Sequence, residues 1–230
     1  MTTVKICGLK DAETLSAILH LPIDHIGFLF AKSKRQVTPK QAGELTRLVR
    51  ERRERGQAVP FTVGVFVNPT LEQLEETLRD APLDIVQLHG SESPDFCRRV
   101  KEAFGVRVYR VFSVTGDGSS GGDAEAEAAL ALEPYAGRID GMLLDTAGGG
   151  TGVAFDWSRI PAYQAWARRQ GIPLLVAGGL NPDNIASLIE AYGPDGVDVS
   201  SGVETDGTKD VGKITAFVER VKRHESHASA

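Results

Sequence analysis

The sequence predicts an α/β fold, a single (β/α)8 barrel of the TIM type, with a phosphate site at the loops after its seventh and eighth strands. Three observations carry this expectation. Short β-rich runs alternate with longer amphipathic stretches through eight rounds. The rounds recur about every thirty residues, the spacing at which helical crossovers join parallel strands that can close on themselves. The glycine-rich segments follow late strands, whereas an open doubly wound sheet would carry a glycine fingerprint after an early one.

Taken in order, the strands are predicted at Val4–Cys7, His25–Phe30, Thr62–Phe66, Ile85–Leu88, Arg107–Phe112, Gly141–Leu144, Leu174–Ala177 and Gly196–Val199, each apolar and most of them bounded by Gly, Pro or Asp. The helices that follow them are predicted at Asp11–Leu19, Pro39–Arg55, Leu71–Asp80, Pro94–Phe104, Ala124–Leu132, Trp157–Arg169, Pro182–Ala191 and Lys209–Lys222. Thr38-Pro39, Ser93-Pro94 and Asn181-Pro182 each place a side-chain acceptor at a cap and a proline at the first helical position, where its missing N–H costs nothing. Residues 1–222 are thus assigned to one barrel and 223–230, polar or small and without periodicity, to a frayed tail. The polar segment Gly116–Asp123, rich in Gly and Ser, is either a cover for the site or a plain insertion.

Composition narrows the class of function. The 230 residues hold 26 Lys+Arg against 31 Asp+Glu, a formal charge of −5, with 41% hydrophobic and 25% charged residues, the mixture of an ordinary globular chain. The densest cationic run, Arg47–Arg55, is interleaved with Glu51 and Glu54 and reads as a solvated helix face, so no nucleic-acid partner is expected. No apolar run approaches the ~18 residues of a membrane span and no signal segment precedes the first strand, so neither a membrane partner nor export is expected. Two cysteines ninety residues apart, Cys7 and Cys97, argue for a reducing cytoplasm rather than a disulfide. Oligomeric state is left as monomer or homodimer.

In such barrels the reactive groups sit at the C-terminal ends of the strands. That rule selects Cys7 after strand one, Gln87 and His89 at the end of strand four, Asp145 after strand six and Asp198 in strand eight, while Glu72, Glu75 and Glu76 read as solvent-facing. Cys7 is either core packing or, because Gly8 lets the chain bend beside a helix start, a thiol turned to the mouth; Cys97, beside Phe96 in an amphipathic helix, reads as packing. Asp145 is either a cap for the glycine turn after it or a carboxylic acid kept protonated by burial. Arg35 is either a solvated loop cation or a fork for a carboxylate. Gly178 and Gly179 after strand seven, with Ser200, Ser201 and Gly202 after strand eight, suit a phosphate held by backbone N–H groups and hydroxyls.

Read in order, these segments resemble the phosphoribosylanthranilate isomerase family of tryptophan biosynthesis. The resemblance runs through Lys5-Ile-Cys-Gly8, Gly27-Phe-Leu-Phe30 with Ser33-Lys-Arg35, Gly64-Val-Phe-Val-Asn68, Gln87-Leu-His-Gly90, Leu143-Leu-Asp145, Gly149-Gly-Thr-Gly152 with Phe155-Asp-Trp157, Ala177-Gly-Gly-Leu-Asn181 and Asp198-Val-Ser-Ser-Gly-Val-Glu204 before Lys209-Asp210. It implies an intramolecular Amadori rearrangement of a phosphosugar, N-(5-phosphoribosyl)anthranilate, to a 1-deoxyribulose phosphate, without metal or cofactor. It implies that Asp145 is the general acid, Cys7 the general base and Arg35 the group that holds the anthranilate carboxylate. Asp198 would lie near sugar hydroxyls, with Gln87 and His89 lining the same site, and the loops at Gly178–Gly179 and Ser200–Gly202 would hold the phosphate. Two positions depart from the family pattern: Lys34 and Asp206 stand where proline is common. The alternatives are another phosphosugar barrel, such as an epimerase or the histidine-pathway isomerase, which would pair two carboxylates, and a binding module without catalysis.

Overall fold

A computed structural model describes residues 2–114, 124–146 and 155–228. Eight parallel strands close into a barrel in chain order, with β8 paired back to β1. The strands are β1 (Thr3–Cys7), β2 (His25–Leu29), β3 (Phe61–Phe66), β4 (Ile85–Leu88), β5 (Arg107–Val114), β6 (Gly141–Thr146), β7 (Leu174–Val176) and β8 (Gly196–Val199). The helices between them are α1 (Ala12–Ile18), α2 (Pro39–Glu54), α3 (Leu71–Asp80), α4 (Pro94–Phe104), α5 (Ala124–Leu132), α6 (Ile160–Gln170) and α7 (Ile185–Tyr192), followed after β8 by α8 (Val211–Ala228).

Strand alternation divides the core in two. Inward residues Val63, Ile85, Tyr109, Val111, Leu143, Leu175 and Ala177 fill the barrel, whereas outward residues such as Ile6, Ile26 and Phe28 pack with helix residues Leu15, Ile18, Trp166 and Phe217 in the surrounding layer. Cys97 is fully buried in that outer layer. Glu72, Glu75 and Glu76 are exposed on α3, and the Arg47–Glu51 and Arg50–Glu54 pairs lie along the surface of α2.

Helix starts follow the expected chemistry at two of the three proline sites. The Thr38 hydroxyl accepts from Gln41 N while the Gln41 side chain accepts from Thr38 N, a capping box before Pro39; Ser93 accepts from Phe96 N ahead of Pro94. Asn181-Pro182 behaves otherwise. Asn181 Oδ1 accepts from the N–H groups of Asp183 and Asn184, which closes a turn, and α7 begins only at Ile185. Trp157–Arg159 form a 3-10 turn, and α6 starts beyond it so that Pro161 falls in its first turn, where no N–H is required.

The largest departure lies between β8 and the last helix. Lys209 does not open α8. Ser201–Val203 form a 3-10 turn, and a hairpin of β9 (Glu204–Thr205) and β10 (Thr208–Lys209) follows, turning at Asp206 and Gly207, which have φ 51° and 76°. Two positive φ values make this a primed two-residue turn that Asp-Gly favours and proline, with its φ fixed negative, excludes. The helix also continues to Ala228, past the expected end at Lys222. The Gly116–Asp123 segment and the Gly149–Gly152 motif lie outside the described residues.

Candidate active site

One pocket at the C-terminal end of the barrel gathers Cys7, Arg35, Gln87, His89, Asp145, Gly178, Gly179, Asp198, Ser200 and Ser201. These come from six strand ends far apart in sequence, because parallel strands deliver every βα junction to the same rim. Of the residues singled out from the sequence, Gly202 alone does not line it. A β-carbon there would strike the backbone oxygen of Leu180, so its missing side chain lets the β8 loop pack against the β7 loop.

Asp145 is the penultimate residue of β6 and is buried. Its Oδ1 accepts from the N–H of Thr146 at 2.7 Å, and its Oδ2 lies 3.4 Å from His89 Nε2. Burial raises its pKa from 3.8 to about 6, with the Asp198 charge adding to the rise and the Thr146 bond and Lys5 opposing it. Burial also lowers the pKa of His89, so near neutral pH the ring faces Asp145 uncharged. Gly178, at φ 83°, is where β7 meets this carboxylate: a β-carbon there would lie 2.9 Å from Asp145 Oδ1 and closer still to Thr146 Oγ1.

Cys7 ends β1 on the opposite side of the mouth. Burial pushes its thiol upward in pKa and Asp198 adds to that, while Lys5 and Lys209 pull it down. Lys5, two residues earlier on the same strand face, is fully buried and donates to Asp198 Oδ2 at 2.9 Å. Burial disfavours the ammonium, but Asp198 and Cys7 outweigh it and raise its pKa above the ordinary lysine value. Asp198 Oδ1 and Gln87 Oε1, both buried, have no hydrogen-bond partner among the described residues, so two acceptors stand ready for donors from a ligand.

The third part of the site is a charge network that reasoning from the sequence missed. Arg35 is buried rather than solvated, and its fork is already engaged: Nε and Nη2 donate to Glu204 Oε1 and Oε2 at 2.5 and 3.0 Å. Lys209 Nζ donates to the same Glu204 Oε1 at 2.9 Å and to the Ser200 backbone oxygen at 2.8 Å. Burial works against the Glu204 carboxylate, but Arg35 and Lys209 prevail and lower its pKa to about 2. The Ser200 hydroxyl donates to the Cys7 backbone oxygen at 3.1 Å, and among the described residues no bond is made by the Ser201 hydroxyl. The start of the Ser201–Val203 turn lies beside the Gly178–Gly179 loop at the pocket, where its first backbone N–H groups have no acceptor within the turn.

Residues 4–220 match the family model described as N-(5'-phosphoribosyl)anthranilate (PRA) isomerase. The chain belongs to this family. The isomerase of that name from Brevibacillus brevis is 46% identical over 233 aligned positions, covering all of this chain and 97% of the relative. Among solved structures, the phosphoribosyl anthranilate isomerase of Thermotoga maritima is similar at a TM-score of 0.78 and 33% identity, covering 97% of this chain and all of that one. A phosphoribosyl anthranilate isomerase in complex with reduced 1-(o-carboxyphenylamino)-1-deoxyribulose 5-phosphate matches at a TM-score of 0.77 and 34% identity, with the same coverage.

The signals for the missed members of the site were present in the sequence. Lys5 shares strand parity with Cys7, so a thiol facing the mouth requires the lysine to face the barrel interior. Asp206-Gly207 flanked by Glu204-Thr205 and Thr208-Lys209 is a hairpin signature, and its pairing sets Lys209 opposite Glu204.

Proposed function

We propose that this protein catalyses the Amadori rearrangement of N-(5-phosphoribosyl)anthranilate to 1-(2-carboxyphenylamino)-1-deoxyribulose 5-phosphate in tryptophan biosynthesis, with Asp145 as acid and Cys7 as base. The observation that carries the residue assignment is the meeting, in one pocket, of a carboxyl whose pKa burial raises and a thiol flanked by a buried ammonium, supplied by opposite sides of the mouth. The Asp145 carboxyl gives its proton to the ribose ring oxygen as the C1–O bond breaks, and the amine nitrogen becomes a Schiff base. The Cys7 thiolate then takes the C2 proton; the C–H electron pair moves toward nitrogen, and the resulting enol-amine tautomerises to the ketone. Asp198 Oδ1 and Gln87 Oε1 accept from the sugar hydroxyls. The phosphate sits on the N–H groups of the β7 and β8 loops.

Arg35 meets the anthranilate carboxylate with the donors that Glu204 leaves over, so the fork is shared rather than free. A thiol instead of a second carboxylate at the end of β1 favours this reading over the histidine-pathway isomerase. One related isomerase is described as dimeric; as a monomer or a homodimer, this protein takes every group named above from one barrel. Both cysteines are free thiols, in keeping with a cytoplasmic enzyme.

The test follows substrate fluorescence. The wild-type protein is expected to consume phosphoribosylanthranilate, with inorganic phosphate competing. Binding without consumption would identify a non-catalytic module and overturn the proposal.

A further inference from the structure

We infer that Lys5 is a positioning residue of this reaction: its ammonium, held against Asp198 beneath the pocket, keeps the neighbouring Cys7 thiol within reach of its thiolate form. The inference rests on the reading of Cys7 as the base.

Lys5 does not line the pocket, and none of its side chain reaches solvent. A buried ammonium is costly, and a lysine serving only to fill the barrel would be better replaced by an apolar side chain. Its placement is specific. Lys5 stands in register with Asp198 across the β1–β8 seam and two residues from Cys7 on one strand face. Gly27, on β2 opposite Cys7, supplies the room: a β-carbon there would lie 2.9 Å from Cys7 Sγ and 3.3 Å from Lys5 Nζ, so the thiol and the ammonium share the space that one missing side chain leaves. An ammonium has three donors, and Asp198 accounts for one of them.

The other charged groups around Cys7 do not supply the same effect. Asp198 on β8 opposes ionisation of the thiol. Lys209 on β10 favours it, but its ammonium is committed to Glu204 and to Ser200. Arg35, in the loop after β2, is engaged by Glu204. Asp145 on β6 and His89 after β4 face the pocket from the far side, where the uncharged imidazole lies 3.4 Å from the carboxyl. Lys5 is the largest influence favouring the thiolate. Its charge does not change during the reaction: Cys7 gains the substrate proton and Lys5 keeps its own.

The experiment reads the thiol directly. The rate of Cys7 alkylation by iodoacetamide is followed against pH, with the modified peptide identified by mass spectrometry to separate it from Cys97. In Lys5→Met the ionisation midpoint is expected to move to higher pH by roughly one to three units, the scale of a nearby opposite charge. In Asp198→Asn, which retains the ammonium and removes the opposing anion, it is expected to move to lower pH. A merely structural lysine would lower the melting temperature and leave the midpoint in place; an unmoved or lowered midpoint in Lys5→Met overturns the inference. If Lys5→Met does not fold, Asp198→Asn decides, and an unmoved or raised midpoint there overturns it. kcat/KM separates this inference from the reading of Cys7. In Lys5→Met the rate is expected to fall about tenfold per unit of midpoint shift, with the high-pH limb moving in step. Alkylation that shifts while that limb stays fixed supports the inference and removes Cys7 as the base.

Discussion

The two sides of the barrel mouth surround a buried acid with different charges. On the β1–β8 side the Cys7 thiol lies among cations: Lys5 below it, with Lys209 and Arg35 brought in by Glu204. On the β6 side the buried Asp145 carboxyl has, among the described residues, one backbone donor and an uncharged imidazole facing it. Burial alone would leave both groups neutral. Cations on one side only oppose that burial: at Cys7 they favour the thiolate without overcoming the upward shift, and at Asp145 the carboxyl is left an acid.

The sharpest way to break this comparison is to remove one side at a time. Cys7→Ser and Asp145→Asn are each expected to lower kcat by about 10²–10⁴-fold, the usual scale of a general acid or base. Their pH profiles should differ. With Asp145 titrating at about 6 and the thiol higher, kcat/KM should rise to about pH 6, level off, and fall above the thiol's ionisation. Asp145→Asn should extend the rise up to the thiol's ionisation and abolish the fall, whereas Cys7→Ser should abolish the rise and begin to fall near pH 6. Identical profiles in the two variants would contradict the assignment.

A second test reads stability. A carboxyl whose folded pKa lies above its unfolded value costs nothing below that unfolded value, and its cost is fully present above the folded one. For Asp145 this window runs from 3.8 to about 6. At about 1.4 kcal/mol per pH unit, Asp145→Asn should stabilise the protein by up to about 3 kcal/mol at pH 8 and by little at pH 3.5. Denaturant unfolding at the two pH values measures this, and an equal gain at both would mean that the carboxyl is not held neutral by the fold.

The smallest effect is expected from the network behind Arg35. Glu204→Gln should raise KM roughly tenfold while sparing kcat, because the guanidinium loses a charged partner and not its charge. Here the linkage has the opposite sign. The Glu204 carboxylate stabilises the fold above its unfolded value of 4.5, and that contribution is lost as pH falls toward about 2. The stability gap between wild type and Glu204→Gln should therefore close across that interval. A kcat loss as large as that of Asp145→Asn would make Glu204 part of the chemistry.

The barrel was legible in the sequence because strand period and crossover spacing are local patterns. Every expected strand formed, and the rim rule brought ten of the eleven chosen site residues into one pocket. What escaped were pairings, one between distant residues and two within local turns. For Arg35 the sequence leaves open a solvated loop cation or a carboxylate fork, because its partner Glu204 lies 169 positions away. Lys209 looked like a helix start because Asp206-Gly207 was weighed as a missing proline instead of as a hairpin turn. Asn181 was read as a cap, and its side chain does accept backbone N–H groups, but it spends them on a turn. In each case residue chemistry was visible and the partner was not.

The seam between β1 and β8 also has a consequence for how the enzyme is made. Lys5 and Cys7 are synthesised 193 residues ahead of Asp198 and the Ser200 hydroxyl that bind them, and Lys222 reaches back to the Thr2 backbone oxygen. Until then the nascent first strand presents an unpaired lysine and an unsheltered thiol. Contacts of such long sequence separation form late and slowly. Turnover should therefore appear only once the last strand has docked against the first, and an arrested chain that stops before β8 should carry the thiol at the reactivity of an exposed cysteine.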